Sequence, residues 1–371
     1  MISDSVRFDA YAKAISRCVR PGHVVAEIGC GPGVFALLAC RVGAKRVYAI
    51  ETEDIIDVAR QIAAANGFAD RIQFFQSDSR KTKLPERVDV IVSDIRGALP
   101  LFEGALASLQ DAKKRFLAPG GVMIPRRDVV KAAIMECQEI YSELVAPWST
   151  CVAGAELSIP RRLELNTAHG GRIKFEQLMS EPQALCTLDY MGNPEPNASA
   201  QLAFRASRNG TAHGIGVWFE TELYEDIGFS AGPESPLTVY GQLFLPWLEP
   251  VVIEEGQEIL VTLHASLVGK DYIWRWETEI AGADGGEKVH FRQSTFEGAN
   301  VSRHTLRRHA VDHIPVLTVE GEAERFLLGA MDGRAALEEI AKKAAERFPE
   351  VYSSHEDAFQ HATELARKFS R

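Results

Sequence analysis

Short apolar runs in the first third of the chain alternate with stretches of helical periodicity. Runs of strand length, typical of strands buried on both faces, lie at 24–28, 47–50, 72–76, 88–92 and 122–124. Helical periodicity occupies the segments before and between them, at 3–20, 34–42, 54–66 and 103–117. Strands that alternate with helices at this spacing predict an α/β domain with a doubly wound parallel sheet over residues 1–125.

The pattern changes at about residue 126. Short alternating strands such as 215–223 and 258–267, separated by turn clusters, predict a β-barrel-like or sandwich domain over residues 126–315. Residues 140–175 fit this pattern poorly, and we interpret them as an inserted helical arm. Helical periodicity returns in the last segment and predicts a small third domain over 316–371, with helices at 321–331, 335–347 and 354–369.

The stretch from Val24 to Glu51 carries the first sign of chemistry. A buried strand runs into Gly29-Cys30-Gly31-Pro32-Gly33, a short helix follows, and the next strand ends on Glu51. The glycines permit a sharp turn and let a ligand approach the backbone without a Cβ in the way. An acid at the end of the second strand can accept hydrogen bonds from both hydroxyls of a ribose. The stretch therefore predicts an adenosine-containing ligand at the carboxyl ends of the sheet.

Charge, cysteine and histidine content and the length of apolar runs limit the possible partners and the cellular compartment. The formal net charge of -10 argues against a non-specific nucleic-acid binder and is compatible with a basic peptide substrate. The six cysteines form no C-x-x-C pair, and we interpret them as free thiols of a cytoplasmic protein. The histidines form no ligand-spaced cluster, so we expect no metal site. Apolar runs stay below the ~18 residues that span a bilayer, so we expect no membrane partner.

The spacing of the glycines helps to choose among adenosine ligands. NAD, FAD and S-adenosylmethionine enzymes share such turns, but the dinucleotide form is G-x-G-x-x-G and the spacing here is G-x-G-x-G. The tighter turn leaves less room for a pyrophosphate. Asp78 follows the third strand, where it could accept a hydrogen bond from an adenine amino group. The alternative is that Asp78 only caps a turn.

Several motifs together resemble the protein arginine methyltransferase family over most of the chain. They are the first helix with M-I-S-D-S-V-R, the glycine turn, Glu51, Leu84-Pro85, the segment from Ser93-Asp94-Ile95-Arg96-Gly97 through Phe102-Glu103, and Gly228-Phe229-Ser230 followed by Pro233-Glu234-Ser235-Pro236. The resemblance implies a Rossmann-like methyltransferase domain that uses S-adenosyl-L-methionine, a β-barrel domain, and a homodimer formed through the arm at 140–175.

The resemblance also assigns site residues. Arg7 would bind the methionine carboxylate of the cofactor. The expected cofactor-binding set is Arg7, Glu27, Gly29, Gly31, Gly33, Glu51, Asp78 and Ser79. Asp94 and Glu103 occupy the positions of the two family glutamates that hold the acceptor arginine. Two carboxylates suit this task, since a sulfonium and a guanidinium are both cations and can share a poorly solvated pocket only where negative charge offsets them.

The sequence departs from the family pattern around these acids. Asp94 is one methylene shorter than the family glutamate, Arg96 stands where the family has an apolar residue, and the Thr-His-Trp loop reads Thr238-Val239-Tyr240. Arg96 could pair with Asp94 and repel a guanidinium. Simpler interpretations remain open: Asp94 could cap a loop, Glu103 could favour a helix N-terminus, and Arg96 could be a solvated loop cation.

The third domain has a separate resemblance. Residues 322–346, ERFLLGAMDGRAALEEIAKKAAE in their core, resemble the winged-helix peptide-binding protein of pyrroloquinoline quinone biosynthesis. That resemblance implies a module that docks a peptide, and the alternative is a helical cap. For the whole chain we predict an S-adenosylmethionine-dependent methyltransferase that acts on a peptide or protein nitrogen, with arginine as the default acceptor. The rival predictions are a degenerate cofactor-binding regulatory module and a small-molecule methyltransferase with a reshaped acceptor pocket.

Overall fold

A computed structural model of the protein describes residues 3–149, 155–282 and 288–370. The chain divides into two compact units, residues 1–299 and 300–371. The first unit contains a parallel sheet and two antiparallel sheets, and the described part of the second is helical.

The parallel sheet has the strand order β3-β2-β1-β4-β5, and every neighbouring pair is parallel, which confirms the predicted doubly wound sheet. Its strands are β1 (Val24–Ile28), β2 (Arg46–Glu51), β3 (Ile72–Gln76), β4 (Val88–Ser93) and β5 (Leu117–Ile124). Its helices are α1 (Ser5–Cys18), α2 (Val34–Arg41), α3 (Ile55–Ala65) and α4 (Ala105–Phe116). Asp4 caps α1 by accepting a hydrogen bond from the backbone N–H of Arg7 at 3.0 Å.

Helices cover β1 from both sides, which explains its unbroken apolar sequence. All five residues of β1 are buried. Successive side chains of a strand point to opposite faces. Accordingly Val25 packs in one core with residues of α1 and α2, whereas Ala26 and Ile28 pack in another core with residues of α4.

The last strand of the parallel sheet is longer than the predicted 122–124. β5 begins at Leu117 and includes Pro119-Gly120-Gly121, a combination that is typical of turns. A shift of register between Val88 and Val90 of β4 accommodates the extra length. Gly120 has φ +79°, a conformation that side-chain-bearing residues rarely adopt.

The strands between residues 127 and 294 form antiparallel sheets, as the alternating pattern predicted. One sheet has the order β7-β12-β10-β6-β8, with β11 paired to β10, and the other has the order β15-β14-β13-β9. The strands are β6 (Arg127–Met135), β7 (His169–Gly171), β8 (Gln183–Asp189), β9 (Ala198–Arg205), β10 (Gly210–Tyr224), β11 (Ile227–Ser230), β12 (Gln242–Ile253), β13 (Glu258–Val268), β14 (Asp271–Ile280) and β15 (Val289–Ser294). Trp247 and Trp276 lie fully buried in their shared core.

The segment at 140–175 does contain helices. They are α5 (Gln138–Ser149) and α6 (Ser158–Leu165), followed by a 3₁₀ turn at Phe175–Gln177. Residues 150–154 of the predicted arm, with Cys151, lie outside the described residues. A short helix α7 (Thr295–Gly298) ends the first unit.

The second unit consists of helices α8 (Arg303–Arg308), α9 (Val319–Ala330), α10 (Leu337–Arg347) and α11 (His355–Phe369). The last three lie close to the predicted helices and share a small core that includes Leu327, Ile340 and Ala362. Residues 300–370 contain no strand in this structure. The likeness of this unit to the winged-helix peptide-binding protein stays a prediction, as do the domain boundaries at 125 and 315.

Candidate active site

A cavity of about 690 Å³ opens at the carboxyl ends of β1, β2 and β4. This is the position at which the direction of strand order reverses, and open α/β sheets bind their ligands there. The volume lies within the range of sites for small molecules and cofactors. The predicted site residues all line this cavity except Gly33, which is the N-terminal cap of α2.

The glycine turn forms one wall of the cavity, and each of its three glycines has a left-handed backbone. Their φ angles are +71° at Gly29, +51° at Gly31 and +75° at Gly33. A Cβ on Gly29 would lie 2.4 Å from Cγ2 of Ile95, whereas a Cβ on Gly31 would meet no atom within 4 Å. The turn thus needs glycine both for its conformation and for its packing, and the space beside Gly31 is open.

Two acids flank the glycine turn in different environments. Glu51 is partly exposed, and its carboxylate accepts hydrogen bonds from the backbone N–H groups of Gly31 at 2.8 Å and Thr52 at 2.7 Å. Glu27 is buried, with 3% of its surface exposed, and accepts one hydrogen bond from the N–H of Ala36 at 2.7 Å. Burial raises the pKa of Glu27 to about 8, despite the hydrogen bond from Ala36, which lowers it.

Asp78 lies on the cavity wall but is already engaged with its own loop. Its carboxylate accepts hydrogen bonds from the backbone N–H of Arg80 at 2.8 Å and from Nη2 of Arg80 at 2.7 Å. These bonds hold the pKa of Asp78 down at about 2. The turn-capping interpretation therefore describes what this carboxylate does locally. The neighbouring Ser79 is buried on the same wall.

Arg7 and Asp94 form a buried ion pair between α1 and the loop after β4. Nε of Arg7 donates to Oδ2 of Asp94, and the two side chains are 7% and 3% exposed. Nε of Arg7 also lies 3.1 Å from the hydroxyl of Tyr240, which donates to Oδ1 of Asp94 at 2.5 Å. Burial among these groups raises the pKa of Tyr240 well above its usual value, so its hydroxyl stays protonated and donates.

Arg96 pairs with the same carboxylate from the other side. Its Nη2 and Nε lie 3.2 Å and 3.3 Å from Oδ1 of Asp94, and its Nη1 donates to Oδ1 of Asp128 at 2.8 Å. Only 3% of its side chain is exposed. The interpretation of Arg96 as a solvated loop cation is therefore wrong, and pairing with Asp94 is what the structure shows. The loop-capping interpretation of Asp94 is incomplete, since its carboxylate joins two arginines.

Glu103 is the second predicted acceptor carboxylate, and it also lines the cavity. It is exposed and has φ +41°, which is uncommon for a residue with a side chain and typical of strained positions at functional sites. It precedes the cap of α4, which is Gly104, so it lies just outside the helix itself. Glu103 and Asp94 line one cavity, as the predicted two-carboxylate arrangement requires.

The structure adds residues that the sequence did not single out. Tyr240 was noted only for replacing the family tryptophan, and Tyr11 on α1 belongs to none of the motifs named above. Asp128 on β6 carries no motif at all, although it is fully buried and accepts from the hydroxyl of Tyr190 at 2.6 Å. Lys270, in the β13–β14 turn, lines the cavity mouth. An acid inside an apolar strand is the one signal by which Asp128 could have been found.

Other expectations concern groups away from the cavity. The five cysteines in the described residues are free thiols. Within the described part of the chain, Glu277, Glu279 and His290 lie close enough to share a metal ion, on the neighbouring strands β14 and β15. Glu279 and His290 are exposed and Glu277 is half-buried, and exposed acidic groups commonly gather without an ion. A search of the described residues found no helix long and apolar enough to cross a membrane.

Comparison with known proteins matches the two parts of the first unit to two methyltransferase family models. Residues 11–139 match the family model of ribosomal protein L11 methyltransferase (PrmA), and residues 129–274 match that of the arginine methyltransferase oligomerization subdomain. The chain is 27% identical over 279 residues to protein arginine N-methyltransferase 1 of Dictyostelium discoideum, covering 73% of this chain and 82% of that protein. It is 29% identical over 274 residues to protein arginine N-methyltransferase 1.1 of Arabidopsis thaliana, covering 72% and 70%.

Solved structures show the same fold. The PRMT1 enzyme–prozyme heterotetrameric complex of Trypanosoma brucei with AdoHcy superposes with a TM-score of 0.74 at 23% identity, covering 79% of this chain and 96% of that one. Protein arginine methyltransferase 10 of Arabidopsis thaliana superposes with a TM-score of 0.70 at 23% identity, covering 79% and 95%.

A glycine-rich parallel sheet of this order, joined to antiparallel sheets, has the architecture of a Rossmann-like methyltransferase with a β-barrel domain. The curated relatives and the model matched at residues 129–274 point to protein arginine N-methyltransferases, and the model matched at residues 11–139 is that of another methyltransferase. The chain is similar to protein arginine N-methyltransferases over 72–73% of its length.

Proposed function

We propose that this protein is an S-adenosyl-L-methionine-dependent methyltransferase that acts on a peptide or protein nitrogen, with arginine as the default acceptor. The observation that carries the proposal is that one cavity is lined both by the glycine turn with Glu51 and by Asp94 with Glu103. Such a cavity can hold an adenosine compound and a cationic acceptor side by side. The similarity of the chain to protein arginine N-methyltransferases supports the same reaction.

The residues present fit the cofactor. Open space beside Gly31 admits a ligand close to the backbone, and Glu51 has carboxylate lone pairs with which to accept from ribose hydroxyls. Arg7 is the candidate for the methionine carboxylate, and Glu27, Asp78 and Ser79 complete the proposed set. When bound, S-adenosylmethionine supplies an electrophilic methyl group on a sulfonium.

The acceptor side of the cavity rests on two carboxylates. Asp94 and Glu103 would hold the acceptor nitrogen so that one lone pair faces the methyl group, and their negative charge offsets the positive charges brought together there. As the acceptor nitrogen gains the methyl group it would release one proton, which would pass to solvent through the open cavity. The carboxylates would act mainly by positioning and by electrostatic stabilisation.

Assembly and substrate follow from the same proposal. We propose a cytoplasmic homodimer formed through the arm at 140–175, which falls within the matched oligomerization subdomain. Ile159 on α6, 70% exposed, and Phe175, 55% exposed, are apolar side chains available to such an interface. The net charge of -10 favours a basic peptide or protein as substrate.

Calorimetry and methyl transfer test the proposal together. S-adenosylmethionine and its demethylated product should bind the full chain, and radiolabelled methyl should pass to arginine-rich peptides. Glu103→Gln should lower transfer by about a hundredfold while cofactor binding stays within a few-fold, because the substitution removes only charge at the acceptor. Asp94→Asn should lower transfer as well. Asp70→Asn, an exposed acid outside the cavity lining, is the matched control. Absence of cofactor binding, or undiminished transfer in both acid variants, would refute the assignment.

One observation favours a second candidate, a cofactor-binding regulatory module. Asp94 already pairs with Arg7, Arg96 and Tyr240, so one of the two acceptor carboxylates is engaged within the chain. Such a module would bind the cofactor and its product but transfer no methyl group to any peptide. The calorimetric and radiolabel measurements distinguish the two functions directly.

A further inference from the structure

An arginine of the chain itself lies buried against the acceptor-side carboxylate. The guanidinium of Arg96 donates from Nη1 to Asp128 at 2.8 Å and to the Thr221 hydroxyl at 3.0 Å, and from Nη2 to the Tyr11 hydroxyl at 2.6 Å. Nε and Nη2 also face Oδ1 of Asp94. Every nitrogen of this side chain therefore has an oxygen partner.

The surroundings of Arg96 are those of a guanidinium-binding site. Its guanidinium carbon lies 5.0 Å from the ring centre of Phe219, 5.6 Å from that of Tyr240, 5.7 Å from that of Phe229 and 6.0 Å from that of Tyr11. Aromatic rings at these distances attract a cation electrostatically. Carboxylates at two edges and rings around the planar group form a cage that selects arginine over lysine.

The charges of this cluster cancel. Arg7 and Arg96 supply two positive charges, and Asp94 and Asp128 supply two negative ones, all in side chains that are at most 7% exposed. An incoming guanidinium would add a third cation to a balanced buried cluster, which is costly where solvent cannot screen it. Glu103 alone would remain as the carboxylate partner at the exposed side.

We propose that Arg96 is a specificity-determining residue that occupies the acceptor side of Asp94 as an internal guanidinium ligand and so weakens the binding of arginine substrates. This inference rests on the proposed function. An external arginine must compete with Arg96 for Asp94, and this competition raises the KM for arginine substrates. Once the substrate is bound, methyl transfer still has Glu103 and the cofactor cradle, by which we mean the glycine turn at 29–33 together with Glu51.

Removing the internal guanidinium tests the proposal. Arg96→Met alone would leave Asp128 buried without its cation, so the informative variant is Arg96→Met with Asp128→Asn, which removes one charge of each sign. We expect KM for an arginine-rich peptide to fall at least tenfold, with a smaller change in kcat and with cofactor affinity within a few-fold. Arg41→Met, which removes an exposed arginine of α2, is the matched control. A folded double variant that binds cofactor but whose KM is unchanged or higher overturns the proposal.

A second measurement does not depend on activity. In Arg96→Ala the vacated cage retains both carboxylates and the rings, so methylguanidinium chloride at millimolar concentration should raise its Tm by several degrees. The wild type and sodium chloride at equal concentration should show no such rise. Equal shifts in variant and wild type would overturn the proposal. If the wild type fails to bind S-adenosylmethionine, the proposed function fails, while the methylguanidinium shift still decides whether Arg96 fills a guanidinium site.

Discussion

Glu27 offers a prediction whose size follows directly from its environment. Its carboxyl group lies inside β1, 3% exposed, with one hydrogen bond from the N–H of Ala36. Burial, helped by the nearby Glu51, raises its pKa from 4.5 to about 8 against the lowering effect of the hydrogen bond from Ala36. The perturbation is Glu27→Gln, which keeps the shape and the accepting oxygen but cannot ionise.

The sign and size of the effect follow from proton linkage. Between pH 4.5 and about 8 the unfolded chain has lost this proton while the folded chain retains it, so the free energy of unfolding falls as pH rises. The slope is about 1.4 kcal/mol for each pH unit within that window. Raising the pH from 5 to 7 should therefore cost the wild type about 2–3 kcal/mol through this group. The Glu27→Gln variant should not lose this stability, because glutamine cannot ionise.

Tryptophan fluorescence during urea unfolding is a suitable assay. All five tryptophans lie in residues 148–276, so the signal reports the unit at 1–299 and not the C-terminal helices. The difference in unfolding free energy between Glu27→Gln and the wild type, without cofactor, should grow in favour of the variant from pH 5 to pH 7. Glu53→Gln, at an exposed acid, should show no such growth. A difference that stays constant across this pH range would refute the buried, neutral state of Glu27.

Two further predictions concern the cofactor cradle. Gly29→Ala should lower the free energy of unfolding by about 1–3 kcal/mol more than Gly67→Ala in the urea assay. Both glycines have positive φ, but only an alanine at position 29 would place its Cβ against Ile95. Equal losses in the two variants would contradict the packing argument. Glu51→Gln should weaken S-adenosylmethionine binding by about tenfold in calorimetry, since charged acceptors make stronger hydrogen bonds to ribose hydroxyls, while Glu53→Gln should bind normally. Unchanged affinity of Glu51→Gln would remove this residue from the proposed site.

Local sequence signals predicted the elements of the first unit well. Apolar runs at 24–28 and 72–76 coincide with β1 and β3, and the predicted helices differ from the observed ones by one or two residues at most of their ends. These signals work because backbone conformation depends on neighbouring residues and on which face is buried. The strand predicted at 122–124 was too short, because a proline and two glycines at 119–121 usually mark a turn. Only pairing with β4 made these residues part of a strand.

The sequence by itself determined the geometry of the proposed cofactor cradle, because its glycines and Glu51 follow one another within a single strand–turn–helix–strand unit. Only the tertiary structure decided the state of the acceptor side. Arg96 meets Asp128, Tyr11 and Thr221 across separations of 32, 85 and 125 residues, and Tyr240 meets Asp94 across 146. No local pattern encodes contacts between β4, β6 and β10. Whether Arg96 is a solvated charge or the ligand of a buried carboxylate depends on which strands pack around it.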